Sequence, residues 1–185
     1  MAAQTDLNLF KEKAAAVQVV ISEIANISEA FDYVADLTAK QGGRLMSAFG
    51  WEGQDRAALE AACGKAGVNL VQNNLREHAA SLHTALTLAD WGIADTGSLV
   101  LDSSSEDLRL ATMLAEIHVA VLPLSRLKAN AFALEDELNR LMASPPHYLA
   151  FITGASRTAD IERVLTIGVH GPGELHVLLL KDTES

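Results

Sequence analysis

Strand-like and helix-like segments alternate through most of this sequence, and that alternation limits the fold more than any other feature. "RLMSAF" (44–49), "VNLVQ" (68–72), "HTALTLAD" (83–90), "SLVLD" (98–102, running back from a tight turn at 95–97), "HVAVLP" (118–123), "YLAFITG" (148–154) and "LHVLLL" (175–180) read as strands. Helical patterns fall between most of them. Ser28 is placed to cap one, with Phe31, Val34 and Leu37 inward and Gly42-Gly43 as its stop. Asp55 is placed to cap another, with Leu59 and Ala62 inward and Gly67 at its end. "SSSEDLRLATMLAE" turns from polar caps into a helix, and "LSRLKANAFALEDELNRLMAS" is the longest helical pattern, closed by Pro145-Pro146. "TADIERVLTIG" (158–168) is expected to form a helix on the spacing of Ile161, Val164 and Leu165. Such alternation implies a mostly parallel sheet flanked by helices on both faces. "AFITG" and "HVLLL" are apolar on both alternating faces, as central strands of such a sheet are.

Ahead of this lies a segment with Phe10, Ala14, Val17, Ile21 and Ile24 at spacings of four and three. It predicts one helix with a single apolar face. Residues 1–28 are accordingly expected to be an N-terminal helical extension, and 29–185 one α/β domain.

Composition narrows the function. The chain has 185 residues, 49% hydrophobic and 21% charged, which is globular and long enough to bury a core without staples. A net charge of −10 argues against binding nucleic acid, whose phosphates call for basic patches. Cys63 is the single cysteine, so no internal disulfide forms, in keeping with a reducing compartment. One thiol also falls short of the four ligands of an ordinary iron–sulfur cluster. The N-terminus has no signal-peptide pattern, and no apolar run approaches the ~20 residues of a membrane helix. A cytoplasmic protein without membrane insertion is expected.

Two stretches collect polar groups beyond structural need. In "FITGASRTADIE", Gly154, Ser156, Arg157, Thr158 and Asp160 follow an expected strand and open an expected helix. A helix N-terminus there presents free N–H groups, and Arg157 can clamp a carboxylate or phosphate through two parallel hydrogen bonds. An ordinary capped helix start satisfies the same pattern. In "ADWGIADTGSLVL", Asp95, Thr96, Gly97 and Ser98 form a tight turn that is either structural or ligand-binding. His170 stands in the "GVHGPGE" loop and joins the candidates. No zinc spacing, nucleophile elbow, phosphate loop or dinucleotide fingerprint is present.

The same stretches carry a resemblance. "ADWGIADTGSLVL" and "FITGASRTADIERVLTIGVHGPGELHVLLL" resemble the two landmarks of the lactate utilization protein C family, whose members are LUD-domain proteins. The resemblance covers roughly residues 40 to 181. It departs at Ala155, where the family has proline, and at Ser98, where it has threonine. It departs also in "TMLAEIHVAV", which lacks two prolines, so no role carries over to His118. The resemblance implies a sugar-isomerase and CoA-transferase-like α/β fold. It also implies a subunit that oxidises L-lactate to pyruvate with iron–sulfur partner proteins, the clusters residing on the partners and no cofactor in this chain. The other reading it leaves open is an enzyme component that binds a small carboxylate, a phosphate or CoA. The candidate ligand residues under either reading are Asp95, Thr96, Gly97, Ser98, Gly154, Ser156, Arg157, Thr158, Asp160 and His170.

Overall fold

The computed structural model describes residues 2–143, 147–159 and 165–181. The chain begins with α1 (Ala2–Ala16), β1 (Val20–Ile24), α2 (Ile27–Lys40), β2 (Leu45–Phe49), α3 (Gly53–Ala66) and β3 (Asn69–Val71). A single turn, α4 (Leu75–His78), leads to β4 (Thr84–Leu88), β5 (Trp91–Ile93), β6 (Ser98–Asp102), α5 (Glu106–Leu114) and β7 (Ile117–Pro123). After it come β8 (Leu127–Lys128), α6 (Glu135–Met142), β9 (Leu149–Ile152), β10 (Arg157–Thr158), β11 (Thr166–Ile167) and β12 (Glu174–Leu180).

Six strands form the main sheet in the order β1-β12-β7-β4-β2-β3, and every pairing in it is parallel. The central strands alternate between two cores. Val119, Val121 and Leu178 face the side covered by α2 and α3, where Phe31, Val34, Leu59 and Cys63 pack. Ala120, Leu122, Val177 and Leu179 face the other side, against Phe10 and Ala14 of α1 and Leu99 of β6. This is why "HVAVLP" and "HVLLL" are apolar throughout: both faces are buried.

The second side also carries a sheet, in the order β8-β5-β6-β9. Its pairs β5–β6 and β6–β9 are antiparallel, and β5–β8 is parallel. The "AFITG" run lies here, in edge strand β9, and Phe151 is half exposed. It is not a central strand of the parallel sheet.

Three expected helices are corrected. The segment from Phe10 to Ile24 is not one helix: α1 ends at Ala16, Gln18 turns at φ +65°, and β1 pairs with β12 at the sheet edge. Residues 1–28 therefore do not stand apart as a helical extension, since α1 and β1 build the same core and sheet as the rest. The 124–144 pattern is broken into a 3₁₀ turn at Leu124–Arg126, β8, a second 3₁₀ turn at Ala131–Leu134, and α6. The expected helix over 158–168 has strands at its ends, with Arg157 opposite Ile167 and Thr158 opposite Thr166. Its Ile161 and Val164 lie outside the described residues. Two caps also shift. Asn26, not Ser28, caps α2 by accepting the Glu29 N–H at 3.1 Å, and α3 starts at Gly53, ahead of Asp55.

Candidate functional site

The two polar loops meet. Ser98 Oγ and Thr153 Oγ1 are 2.6 Å apart, joining the start of β6 to the end of β9. Both loops rest on the carboxyl end of α1. Gly97 (φ +65°) lies so close to Ala14 that a Cβ has no room, and at Gly154 (φ +76°) a Cβ would stand 2.6 Å from Val17 O. Only glycine combines that backbone with that approach. Gly97 and Gly154 thus have a packing role, and Ser98 is buried beside them.

Beyond Gly154 a cleft of about 300 Å³ opens. Gly154, Ser156 and His170 line it, together with Met113, Phe151 and His118. The Ser156 N–H donates to Pro172 O at 2.8 Å, and Ser156 O accepts from the Gly168 N–H at 2.9 Å, which ties its two walls together. No Asp, Glu, Lys or Arg is among the described lining residues. The cleft sits beside the first residues of β7 and β12, at the amino edge of the parallel sheet. The strand that leads into Gly154–Thr158 is not a parallel one: β9 is antiparallel to its neighbour β6, and β10 follows it.

The other candidates are placed elsewhere. Asp95 and Thr96 are exposed and do not line the cleft; the Asp95 N–H donates to Ala129 O at 3.1 Å. Arg157 is exposed on β10, where its guanidinium makes a long, 3.4 Å contact with Thr153 O. Thr158 is its neighbour on the same strand, and Asp160 lies outside the described residues.

The pattern reading missed His118. It is 1% exposed, and its Nε2 is 2.8 Å from Thr87 Oγ1. Burial pushes its pKa down to about 4, so the ring is neutral at pH 7. The available signal was a histidine opening an otherwise apolar, fully buried strand. His176 shows the contrast. It is also buried, but both of its ring nitrogens are engaged, by Tyr33 OH at 2.8 Å and by Glu174 Oε2 at 2.9 Å. That hydrogen bond from His176 holds the Glu174 carboxyl below its usual range.

A wider hollow of about 530 Å³ runs along the outer edge of β3 beside α3. Its one described cation, Arg56, already pairs with Glu60 at 3.0 Å. Cys63, which lines it, is itself buried against Met46, and burial pushes its thiol up to about 11. Among the described residues, no group of three His, Cys, Asp or Glu side chains is arranged to hold a metal ion. No described helix is long and apolar enough to cross a membrane.

Comparison with known proteins supplies the family. The LUD domain pattern matches residues 7–180. "Lactate utilization protein C" of Halalkalibacterium halodurans is 33% identical over 111 residues, covering 58% of this chain and 48% of that protein. The Bacillus subtilis protein of the same name is 29% identical over 114 residues, covering 60% and 47%. "Uncharacterized protein YkgG" of Escherichia coli is 31% identical over 97 residues, covering 51% and 42%. The matches thus span about half the length of these relatives. A crystal structure of a DUF162 family protein from Deinococcus radiodurans has the same fold, with a TM-score of 0.64 at 16% identity over 97% of this chain and 99% of that one. Since the match runs from the middle of α1 to the last residue of β12, taking in both sheets, the chain belongs to the LUD domain family.

Proposed function

We propose that this chain is a cytoplasmic subunit of an L-lactate utilization system and oxidises lactate to pyruvate together with iron–sulfur partner proteins. The observation that carries the reading is the kinship with proteins named for lactate utilization, at 33% identity over 111 residues and 29% over 114. Cys63 supports the division of labour. One buried thiol, held protonated at pH 7, supplies neither the number nor the form of ligand that a cluster needs. The clusters belong to the partners, and this chain contributes no cofactor of its own.

The cleft lined by Gly154, Ser156 and His170 is where such a chain would hold a small carboxylate, a phosphate or CoA. Deleting the gene in its source organism tests the reading. Growth on L-lactate as sole carbon source is expected to stop, growth on pyruvate to continue, and the intact gene to restore the first. Undiminished growth on L-lactate without the gene contradicts it.

A further inference from the structure

His118 holds one ring nitrogen in reserve. Nε2 meets Thr87 Oγ1 at 2.8 Å, while Nδ1 has no partner among the described residues. Nδ1 is not sealed off either: the sealed, unpartnered side-chain polar atoms among the described residues are Ser47 Oγ and Trp51 Nε1. An atom of a buried ring that still meets solvent does so where its residue lines an opening, and for His118 that opening is the cleft.

Which atom carries the ring proton follows from Thr87. Its side chain is fully buried, and its hydroxyl has no described partner except His118. Were Nε2 to donate, the hydroxyl would accept and its own hydrogen would be stranded in the core. When Thr87 donates instead, the hydroxyl hydrogen is satisfied and the ring proton sits on Nδ1, whose only outlet among the described residues is the cleft. A stranded buried donor is costly, so the second arrangement is the stable one. Nδ1–H then points into the cleft as a fixed, uncharged donor. Thr112, Thr153 and Ser156 line the same cleft, as do the apolar residues Met113, Ile152 and Leu175.

We propose that His118 Nδ1–H is the ligand-holding donor of this cleft and binds an oxygen of a small monocarboxylic acid, whose short alkyl part lies on the apolar wall. The lactate-utilization reading enters only in the choice of acids to try. An uncharged donor suits one carboxylate or carbonyl oxygen, and about 300 Å³ suits a compact molecule. Ring neutrality down to about pH 4 keeps the donor unchanged across physiological pH.

The test is nuclear magnetic resonance of the full chain labelled with ¹⁵N in its histidine rings, where nitrogen shifts distinguish both neutral forms from the charged one. His118 is expected to be neutral with the proton on Nδ1 from pH 8 to pH 5. Its signals are expected to move on titration with L-lactate or pyruvate and to stay in place with inorganic phosphate. His118→Phe is expected to weaken binding of those acids about tenfold. Thr87→Val is expected to mix the two neutral forms and weaken binding to a smaller degree. A proton on Nε2, a charged ring at pH 6, or a ring unmoved by both acids overturns the proposal. The tautomer and titration are read on the unsubstituted chain, so a His118→Phe protein that fails to fold leaves the test intact. An unmoved His118 in a chain required for growth on lactate removes this site and keeps the pathway role. A shifted His118 in a dispensable chain does the reverse.

Discussion

At Gly154 one hydrogen atom separates the observed packing from a collision. The residue combines φ +76° with a carbonyl, Val17 O, where a Cβ would stand at 2.6 Å. Gly154→Ala is expected to destabilise the fold by roughly 1–3 kcal/mol, because strain and contact act together. Urea unfolding measures this, and a loss below about 0.5 kcal/mol contradicts the packing role. His118 offers a pH test. Its unfolded pKa is about 6.5, and the folded value is lowered to about 4. Above the unfolded value both states hold a neutral ring and nothing changes. As pH falls from there toward the folded value, the unfolded chain takes up a proton that the folded chain refuses, and stability drops. The slope reaches about 1.4 kcal/mol per pH unit for this one group. His118→Gln is expected to remove that share of the acid loss, which unfolding curves between pH 7 and pH 4 record. An unaltered slope contradicts a buried neutral ring. The sequence marked Gly154, Ser156 and His170, which do line the cleft, because glycine and hydroxyl clusters stand out in a loop. It did not mark His118, because what makes this ring unusual is one missing partner, and partners come from distant strands.

Among the elements, β1 shows where periodicity misleads. Phe10, Ala14, Val17, Ile21 and Ile24 keep helical spacing across two elements, since each happens to land on a buried or half-buried position. The break is at Gln18, a residue with no special signature for positive φ, stabilised by the Val17 and Val19 N–H groups donating to Ala15's neighbour Ala14 O at 3.1 and 3.0 Å. The hairpin of β10 and β11 was hidden in the same way, by apolar residues spaced as in a helix. α1 is an integral part of the core: Phe10 is fully buried in the cluster with Leu122, Val177 and Leu179. Phe10→Ala is expected to cost about 3–5 kcal/mol. A thermal or urea unfolding comparison checks it, and a near-neutral effect would return α1 to the status of an appendage.

For the molecule as a whole, the parallel sheet was the legible part. Runs such as "HVAVLP" are buried on both faces and advertise it, and the turn at 95–97 marks β6 as a strand running back, whereas β5 and β8 are too short to show a period. The loop after β9 does not follow a parallel strand, and the cleft it lines takes in His118 and Leu175, near the first residues of β7 and β12. Cys63 belongs at this scale too. Its folded pKa of about 11 exceeds the ordinary thiol value, so its contribution to stability is intact below the unfolded pKa and is lost as pH rises through the folded one. Thiol reagents at pH 8 are expected to label it slowly in the native chain and rapidly in urea; equal rates would contradict its burial.

Reconstitution is the decisive test of the proposed division of labour in lactate oxidation. The chain is purified from its source organism with whatever accompanies it, iron and sulfide are measured on each component, and L-lactate oxidation is assayed for each alone and together. Iron and sulfide are expected on the partners and not on this chain, with pyruvate formed only by the combined components. Stoichiometric iron and sulfide on the isolated chain, or full lactate oxidation by the partners without it, would contradict the account.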